Sequence, residues 1–109
     1  MVVAHEDVDL LFHALADATR RDIVRRTLGG SFSVSALARD YPMSFAAVQK
    51  HVAVLERAGL VTKERRGREH LVTGSAAALR TAHDALDRLE LIWRDRIARM
   101  DDLLADPGL

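Results

Sequence analysis

Residues 33–68 read SVSALARDYPMSFAAVQKHVAVLERAGLVTKERRGR, and they predict two short helices joined by a tight turn. Ser33 and Ser44 carry the hydroxyl groups that commonly cap helix N-termini. Between them lies Pro42, which has no backbone N–H and cannot continue a helical hydrogen-bond ladder. Apolar residues follow each serine at helical spacing, and those after Ser44 recur at i, i+4 and i+7 (Val48, Val52, Leu55). This spacing predicts a helix-turn-helix motif.

A β-hairpin is predicted directly after the second of these helices. Gly59 ends the helix, and short apolar pairs then frame a basic turn (Leu60 and Val61 before it, Leu71 and Val72 after it). The turn is Arg66-Gly67-Arg68, where the glycine permits a positive φ. A basic hairpin in this position is typical of the wing of a winged helix-turn-helix.

Three further helices are predicted around this unit. The first spans about 8–16, and the second spans Arg20 to Leu28, with Asp17 as its N-cap and Gly29-Gly30 at its end. The last spans about 76–104. The fold class is therefore mainly α with a small β-hairpin, in the order α-α-α-α-β-β-α, and 109 residues favour a single domain over 1–109.

The last helix carries a heptad seam. Its apolar residues recur three and four apart, with Arg96 interrupting one step (Leu79, Ala82, Leu86, Leu89, Trp93, Met100, Leu103). A seam held for more than three heptads favours a helix–helix interface, because so long an apolar face exceeds what one small domain can cover. The alternative is that the seam only covers the core of its own domain.

Charge is segregated along a chain whose formal net charge is zero. Six cations against three anions lie between residues 49 and 70 (Lys50, Arg57, Lys63, Arg65, Arg66, Arg68; Glu56, Glu64, Glu69). The two ends are acidic (Glu6, Asp7, Asp9; Asp101, Asp102, Asp106). A basic middle is the electrostatic footprint of a protein that binds nucleic acid, and total charge conceals it.

The chain resembles the ArsR family of winged-helix bacterial repressors over about residues 10–104. The matching segments are ALADATRR (14–21), Leu37-Ala38, MSFAAVQKHV (43–52), VLERAGLV (54–61) and RRGRE (65–69). Trp93 and Arg96 resemble the Trp-x-x-Arg pattern of a branch whose members usually lack a thiolate metal site. The resemblance implies a DNA-binding regulator. Gln49 stands where the family commonly has serine, so the operator is expected to differ from that of relatives.

The resemblance places the DNA-reading part at about 33–73, with the recognition helix beginning at Ser44. Gln49 is the expected base reader, since its amide can pair with adenine N6 and N7. Arginines at the wing tip are expected in the minor groove. The predicted DNA contacts are Ser44, Phe45, Ala46, Gln49, Lys50, His51, Lys63, Arg65, Arg66, Arg68 and Arg20.

Several of these assignments leave an alternative open, and Lys50 is expected to contact either a phosphate or a guanine. Phe45 contacts a thymine methyl group or belongs to the core. His51 bonds a phosphate or is a buried, satisfied histidine beside Leu55. Arg20 and Arg21 reach phosphate or pair within the protein, and internal pairing is expected for one of them.

A symmetric homodimer is expected, because one recognition helix reads too few base pairs to find an operator among genomic competitors. The expected dimerisation helices are those at about 8–16 and 76–104, with Trp93 as the anchor. The predicted interface residues are Leu11, Leu79, Leu86, Leu89, Trp93 and Met100.

No metal site, cofactor or catalytic site is expected. The chain has no cysteine, and Val34 and Ser35 occupy the stretch where related metal sensors carry thiolates. His83 and Asp87 are spaced i, i+4, but the second histidine of a zinc sensor is missing.

Neither a secretory signal nor a membrane span of roughly 20 apolar residues is found, so a cytoplasmic protein is expected. The effector is unknown, and the alternative function is a winged-helix module that binds protein rather than double-stranded DNA.

Overall fold

A computed structural model describes residues 5–105 of the chain and the side chains of residues 7–105. The elements in order are α1 (His5–Leu15), α2 (Ala18–Leu28), β1 (Phe32–Ser33), α3 (Val34–Ala38), α4 (Phe45–Arg57), β2 (Val61–Arg66), β3 (Glu69–Gly74) and α5 (Ala76–Ala105). Two acidic groups of the predicted charge segregation, the Glu6 side chain and Asp106, lie outside the described part. The arrangement is a winged helix-turn-helix.

The predicted N-cap residues are confirmed, although α1 begins at His5 rather than at about residue 8, and α2 at Ala18 rather than at Arg20. Each predicted N-cap side chain accepts a hydrogen bond of 3.0 or 3.1 Å from the backbone N–H three residues later (Asp17 from Arg20, Ser33 from Ala36, Ser44 from Ala47). Gly59 follows α4 with a φ of 78°, a conformation that residues with a Cβ rarely adopt. Side-chain caps therefore set where these three helices begin, and the backbone conformation of Gly59 sets where α4 ends.

The sheet has three strands rather than the two that were predicted. β1 pairs antiparallel with β3, with Phe32 opposite Val72, so the strand order is β1-β3-β2. A two-residue strand has no alternation that a sequence pattern can reveal, and its pairing partner lies 40 residues away. Gly67 turns the hairpin with a φ of 62°, as predicted, while Arg66 is still the last residue of β2.

The core is a cluster of aliphatic side chains from α1 to the start of α5 (Leu11, Ala14, Ile23, Val24, Val34, Leu37, Val48, Val52, Leu55, Leu60, Val61, Val72, Ala82). Leu11 is only 3% exposed, so its prediction as an interface residue is corrected: its side chain fills the core of its own protomer. Leu79 is half-buried against the same cluster. Beyond Ala82, α5 leaves the core, and its large apolar side chains are exposed.

Candidate nucleic-acid interface

Helix α4 turns one face to the core and the other to solvent. Val48, Val52 and Leu55 are fully buried, whereas four predicted DNA contacts on α4 are exposed (Phe45, Ala46, Gln49, Lys50). The Ser44 hydroxyl is engaged as the N-cap. The first turns of α4 thus present an amide, a cation and an aromatic ring outward, and side chains in that position of a recognition helix reach base edges.

Phe45 is 47% exposed and does not belong to the buried cluster. The core alternative for this ring is therefore wrong. The reason is its position: Phe45 is the first residue of α4, whereas the core-facing side of the helix starts at Val48. An exposed aromatic ring at a recognition-helix N-terminus is available for apolar contact with a thymine methyl group or a deoxyribose.

His51 links the recognition helix to α2. The imidazole is half-buried, and its Nδ1 lies 3.3 Å from Nη1 of Arg20. Neither sequence alternative described this position, because His51 is neither fully buried nor free on the surface. Its contact fixes α4 against the N-terminal end of α2.

Arg20 and Arg21 both bind the C-terminal end of α1. Arg20 donates from Nε to the Ala14 carbonyl at 2.7 Å and from Nη2 to the His13 carbonyl at 2.9 Å, and Arg21 donates to the Leu15 carbonyl at 2.7 Å. The sequence predicted internal pairing for one of the two arginines, whereas both donate to backbone carbonyls of α1. The Arg20 guanidinium directs three of its five N–H groups to α1 and His51, so a phosphate contact would use the remaining two.

Asp17 lies at the same place, where α1, α2 and α4 meet. The backbone N–H of Arg20, followed by the nearby charges of His51 and Arg20, lowers the pKa of Asp17. The N-cap carboxylate is thus held in its charged form at the end of α2 that faces α4. The joint of α1, α2 and α4 is an electrostatically linked unit.

A second set of contacts, which the sequence did not predict, holds the turn before α4 against α2. The Tyr41 hydroxyl donates a 2.6 Å hydrogen bond to Oδ2 of Asp22 on α2. The Arg26 guanidinium lies 5.0 Å from the centroid of the Phe32 ring and 5.5 Å from that of Tyr41, and it pairs with Asp40 at 2.7 Å. In the sequence, Tyr41 beside Pro42 indicates a turn, but nothing near them indicates that Tyr41 contacts Asp22.

The hydrogen bond between Tyr41 and Asp22 shifts the pKa of both side chains. The hydrogen bond from Tyr41, followed by that from Arg25, lowers the pKa of Asp22. Burial, followed by the hydrogen bond to Asp22, raises the pKa of Tyr41. Both shifts favour a neutral phenol donating to a carboxylate, which holds the turn before α4 against α2.

Tyr41→Phe is expected to lower the free energy of unfolding at pH 7 by about 1 kcal/mol, the typical net value of a hydrogen bond. Because the pKa of Asp22 is lower in the folded state than in the unfolded state, its carboxylate stabilises the fold fully above about pH 4, the unfolded pKa. This stabilisation is lost as the pH falls through the lowered pKa of Asp22. The difference between Tyr41→Phe and wild type should therefore shrink in acid. Urea unfolding at several pH values measures it, and a difference that is constant down to about pH 2 contradicts the role of Asp22.

The wing carries three exposed arginines at its tip. Arg65 Nε donates to the Gly67 carbonyl at 3.2 Å, which stabilises the turn, and Arg66 Nε lies 3.3 Å from Oε1 of Glu64. Both members of this ion pair are about two-thirds exposed, so the pair is weak and a phosphate can replace Glu64. Arg68 follows Gly67 and is also exposed.

A narrow cleft separates α4 from the wing. It encloses about 90 Å³ and is lined by residues of α3, α4 and the hairpin (Val34, Ser35; Phe45, Gln49, Val52; Lys63, Arg68, Glu69, His70). Four predicted DNA contacts therefore meet at one place, two from the recognition helix and two from the wing. The cleft is not lined by Ser44, Ala46, Lys50, Arg65 or Arg66. Arg20 and His51 contact each other where α1, α2 and α4 meet.

Other classes of site find little support among the described residues. No three His, Asp or Glu side chains within residues 7–105 come together as metal ligands. Likewise, no helix between residues 5 and 105 is long and apolar enough to cross a membrane.

Comparison with known proteins agrees with this geometry. A family model described as a helix-turn-helix domain matches residues 15–64. The HTH-type transcriptional regulator Rv2034 of Mycobacterium tuberculosis is 40% identical over 100 residues, which cover 92% of this chain and 91% of the relative. The relatives are transcriptional regulators, which confirms that the protein is not an enzyme.

Solved structures agree with the fold over nearly the whole chain. An ArsR-like transcriptional regulator from Rhodococcus sp. RHA1 superposes with a TM-score of 0.80 at 30% identity, covering 95% of this chain and 97% of that one. The crystal structure of another ArsR family transcriptional regulator gives a TM-score of 0.79 at 28% identity, covering 86% and 97%. With its winged helix-turn-helix and its similarity to these proteins, the chain belongs to the ArsR family of DNA-binding transcriptional regulators.

Proposed function

We propose that this protein is a homodimeric repressor that binds a palindromic operator through α4 and the β2–β3 wing. The observation that carries the proposal is the cleft where Phe45 and Gln49 of α4 face Lys63 and Arg68 of the wing. A helix that enters the major groove and a basic hairpin beside it match two adjacent grooves of one duplex. The residues at about 33–73 form the reading part of a single winged-helix domain.

Dimerisation through α5 is supported by its exposed apolar face. Leu86, Leu89, Trp93 and Met100 are all more than half exposed, although they follow the heptad spacing of a helix–helix contact. Apolar side chains so placed on a helix extending from the core are expected to be covered by a second copy. Leu10, 37% exposed on α1, takes the place that the sequence assigned to Leu11.

Repression follows from this arrangement by occupancy. A dimer that covers two half-sites excludes other proteins from the same stretch of DNA, and no further chemistry is required. The two-fold symmetry of the dimer predicts inverted half-sites whose centres are about one helical turn apart, roughly 10 to 10.5 base pairs.

Selection of bound duplexes from a random pool, with and without Zn²⁺, tests the function directly. We expect an inverted repeat with the spacing given above and an affinity that falls steeply with salt. A flat salt dependence with no retained duplex would favour the alternative, a winged-helix module that binds a protein partner. Unchanged selection in Zn²⁺ is expected, because no metal ligand set is predicted.

Gln49→Ala is expected to relax the preference at one position of each half-site by roughly 1 to 3 kcal/mol, the value of a bidentate amide–adenine pair. The measurement is a comparison of affinities for the selected operator and for duplexes substituted at each position in turn. Lys50→Ala is the matched control: as a phosphate contact it should weaken all duplexes about equally. Loss of preference in the Lys50 variant with none in the Gln49 variant would exchange the two roles.

A further inference from the structure

The cleft between α4 and the wing contains a histidine that the sequence analysis did not single out. His70 lies on β3, and it lines the cleft with Lys63 of β2 and Arg68 of the turn. Phe45 and Gln49 form the opposite wall. The cleft thus has an aromatic and amide side and a basic side.

Strand alternation places His70 on the inner face of the wing. Val72 is fully buried, and residues two apart on a strand share a face, so His70 points to the same side as Val72. The β2–β3 register sets Lys63 opposite Val72 and Arg65 opposite His70, and directly opposed residues also share a face. The face of the wing that looks toward the recognition helix therefore carries Lys63, Arg65 and His70.

The dimensions of the cleft argue against a small-molecule ligand. Its volume of about 90 Å³ is well below the roughly 300 to 1,000 Å³ that is usual for ligand pockets. A single phosphate group of a polymer strand is much smaller than such ligands.

The geometry of a duplex supplies such a strand. The major and minor grooves are separated by one sugar–phosphate backbone, so a protein with a helix in one groove and a hairpin in the next must straddle that backbone. In this protein the space between helix and hairpin is the cleft. Its apolar wall at Phe45 suits a deoxyribose, and its basic wall suits a phosphate.

We propose that a backbone phosphate of the operator occupies this cleft and that His70, in its protonated form, is one of its ligands, so that DNA affinity depends on pH. This inference rests on the proposed function. A phosphate favours the charged imidazole, so binding takes up a proton, and affinity falls as the pH rises through the range where histidine loses its charge.

The charged groups around His70 are those of the wing itself. Lys63, Arg65 and Arg68 are its basic residues, and Glu69 is the one carboxylate lining the cleft. From α3 and α4 the cleft receives only Ser35, Gln49 and apolar side chains, none of which titrates near neutrality. His70 is therefore the only histidine among the residues that line the cleft.

The test is operator affinity measured at about pH 6 and pH 8 at constant ionic strength. Wild type is expected to bind about tenfold more weakly per subunit at the higher pH, the effect of losing one charge-assisted hydrogen bond. His70→Gln should bind like wild type at pH 8 and lack the gain at pH 6. His70→Lys should bind tightly at both values, which a purely structural role for the imidazole would not produce.

Controls separate the cleft from other histidines and from the proposed function. His83→Gln, on α5, should keep the wild-type pH profile. A profile that survives His70→Gln, or that disappears in His51→Gln instead, overturns the inference while DNA binding stands. A pH-independent wild type overturns it as well, and a wild type that retains no duplex at either pH overturns the proposed function together with it.

Discussion

Trp93→Ala is expected to dissociate the protein into monomers at micromolar concentration and to weaken operator binding by about a hundredfold or more, as truncation of an aromatic interface anchor typically does. Trp93 is 59% exposed in the protomer and lies one seam step from Leu89. Most of the indole surface is therefore in contact with no residue of its own protomer and is available to a second copy. Because each half-site alone is read weakly, loss of the dimer lowers the affinity for the full operator.

Sedimentation of the free protein and of its operator complex measures both effects. Leu91→Ala is the matched control, because Leu91 is 55% exposed on the same helix but lies two residues from Trp93 and faces the other side. This variant should remain a dimer. If Trp93→Ala also sediments as an unchanged dimer, α5 is not the interface and its apolar face serves another partner.

Replacing both Arg66 and Arg68 by alanine is expected to lower operator affinity by about ten- to a hundredfold at physiological salt, and to reduce the salt slope by roughly 0.9 for each lost phosphate contact. In the free protein Arg66 has only an exposed ion pair with Glu64 to give up. Arg68 lines the cleft beside the recognition helix. Both guanidinium groups are thus available to DNA at little cost.

A double variant on α5, Arg80→Ala with Arg94→Ala, makes the same change in net charge outside the wing. Arg94 is engaged with Glu90 on the surface of α5, and both arginines are exposed. Duplex titrations at several salt concentrations should separate the two variants, since only the wing variant is expected to change the slope strongly. Equal slopes in both variants would mean that overall charge, and not the wing, carries the binding.

Short-range rules in the sequence were enough to predict α4 and the turn of the wing. Ser44 caps α4 through the backbone N–H three residues away, and Gly59 and Gly67 take the positive φ that only glycine adopts readily. Each of these interactions involves neighbours within one turn, so residue type and spacing determine them. The same holds for the faces of α4, since period 3.6 separates Val48 and Val52 from Gln49 and Lys50.

Contacts between distant parts of the chain were decided only by the tertiary structure. Leu11 turned to its own core, Arg20 reached His51 31 residues away, and Tyr41 found Asp22 19 residues away. β1 was set by pairing with β3, and the cleft with His70 exists only because the hairpin folds back beside α4.

By itself, then, the sequence determined the helix-turn-helix, its caps, its wing and the basic character of residues 49–70. The tertiary structure decided that Lys63 and Arg68 lie together on the basic wall of the cleft, and that Arg20 and His51 contact each other inside the protein. The physical reason is range: caps, turns and helical faces depend on backbone bonds and periodicities within a few residues. A side chain's partner across the fold depends on how whole helices and strands pack, which no local spacing encodes.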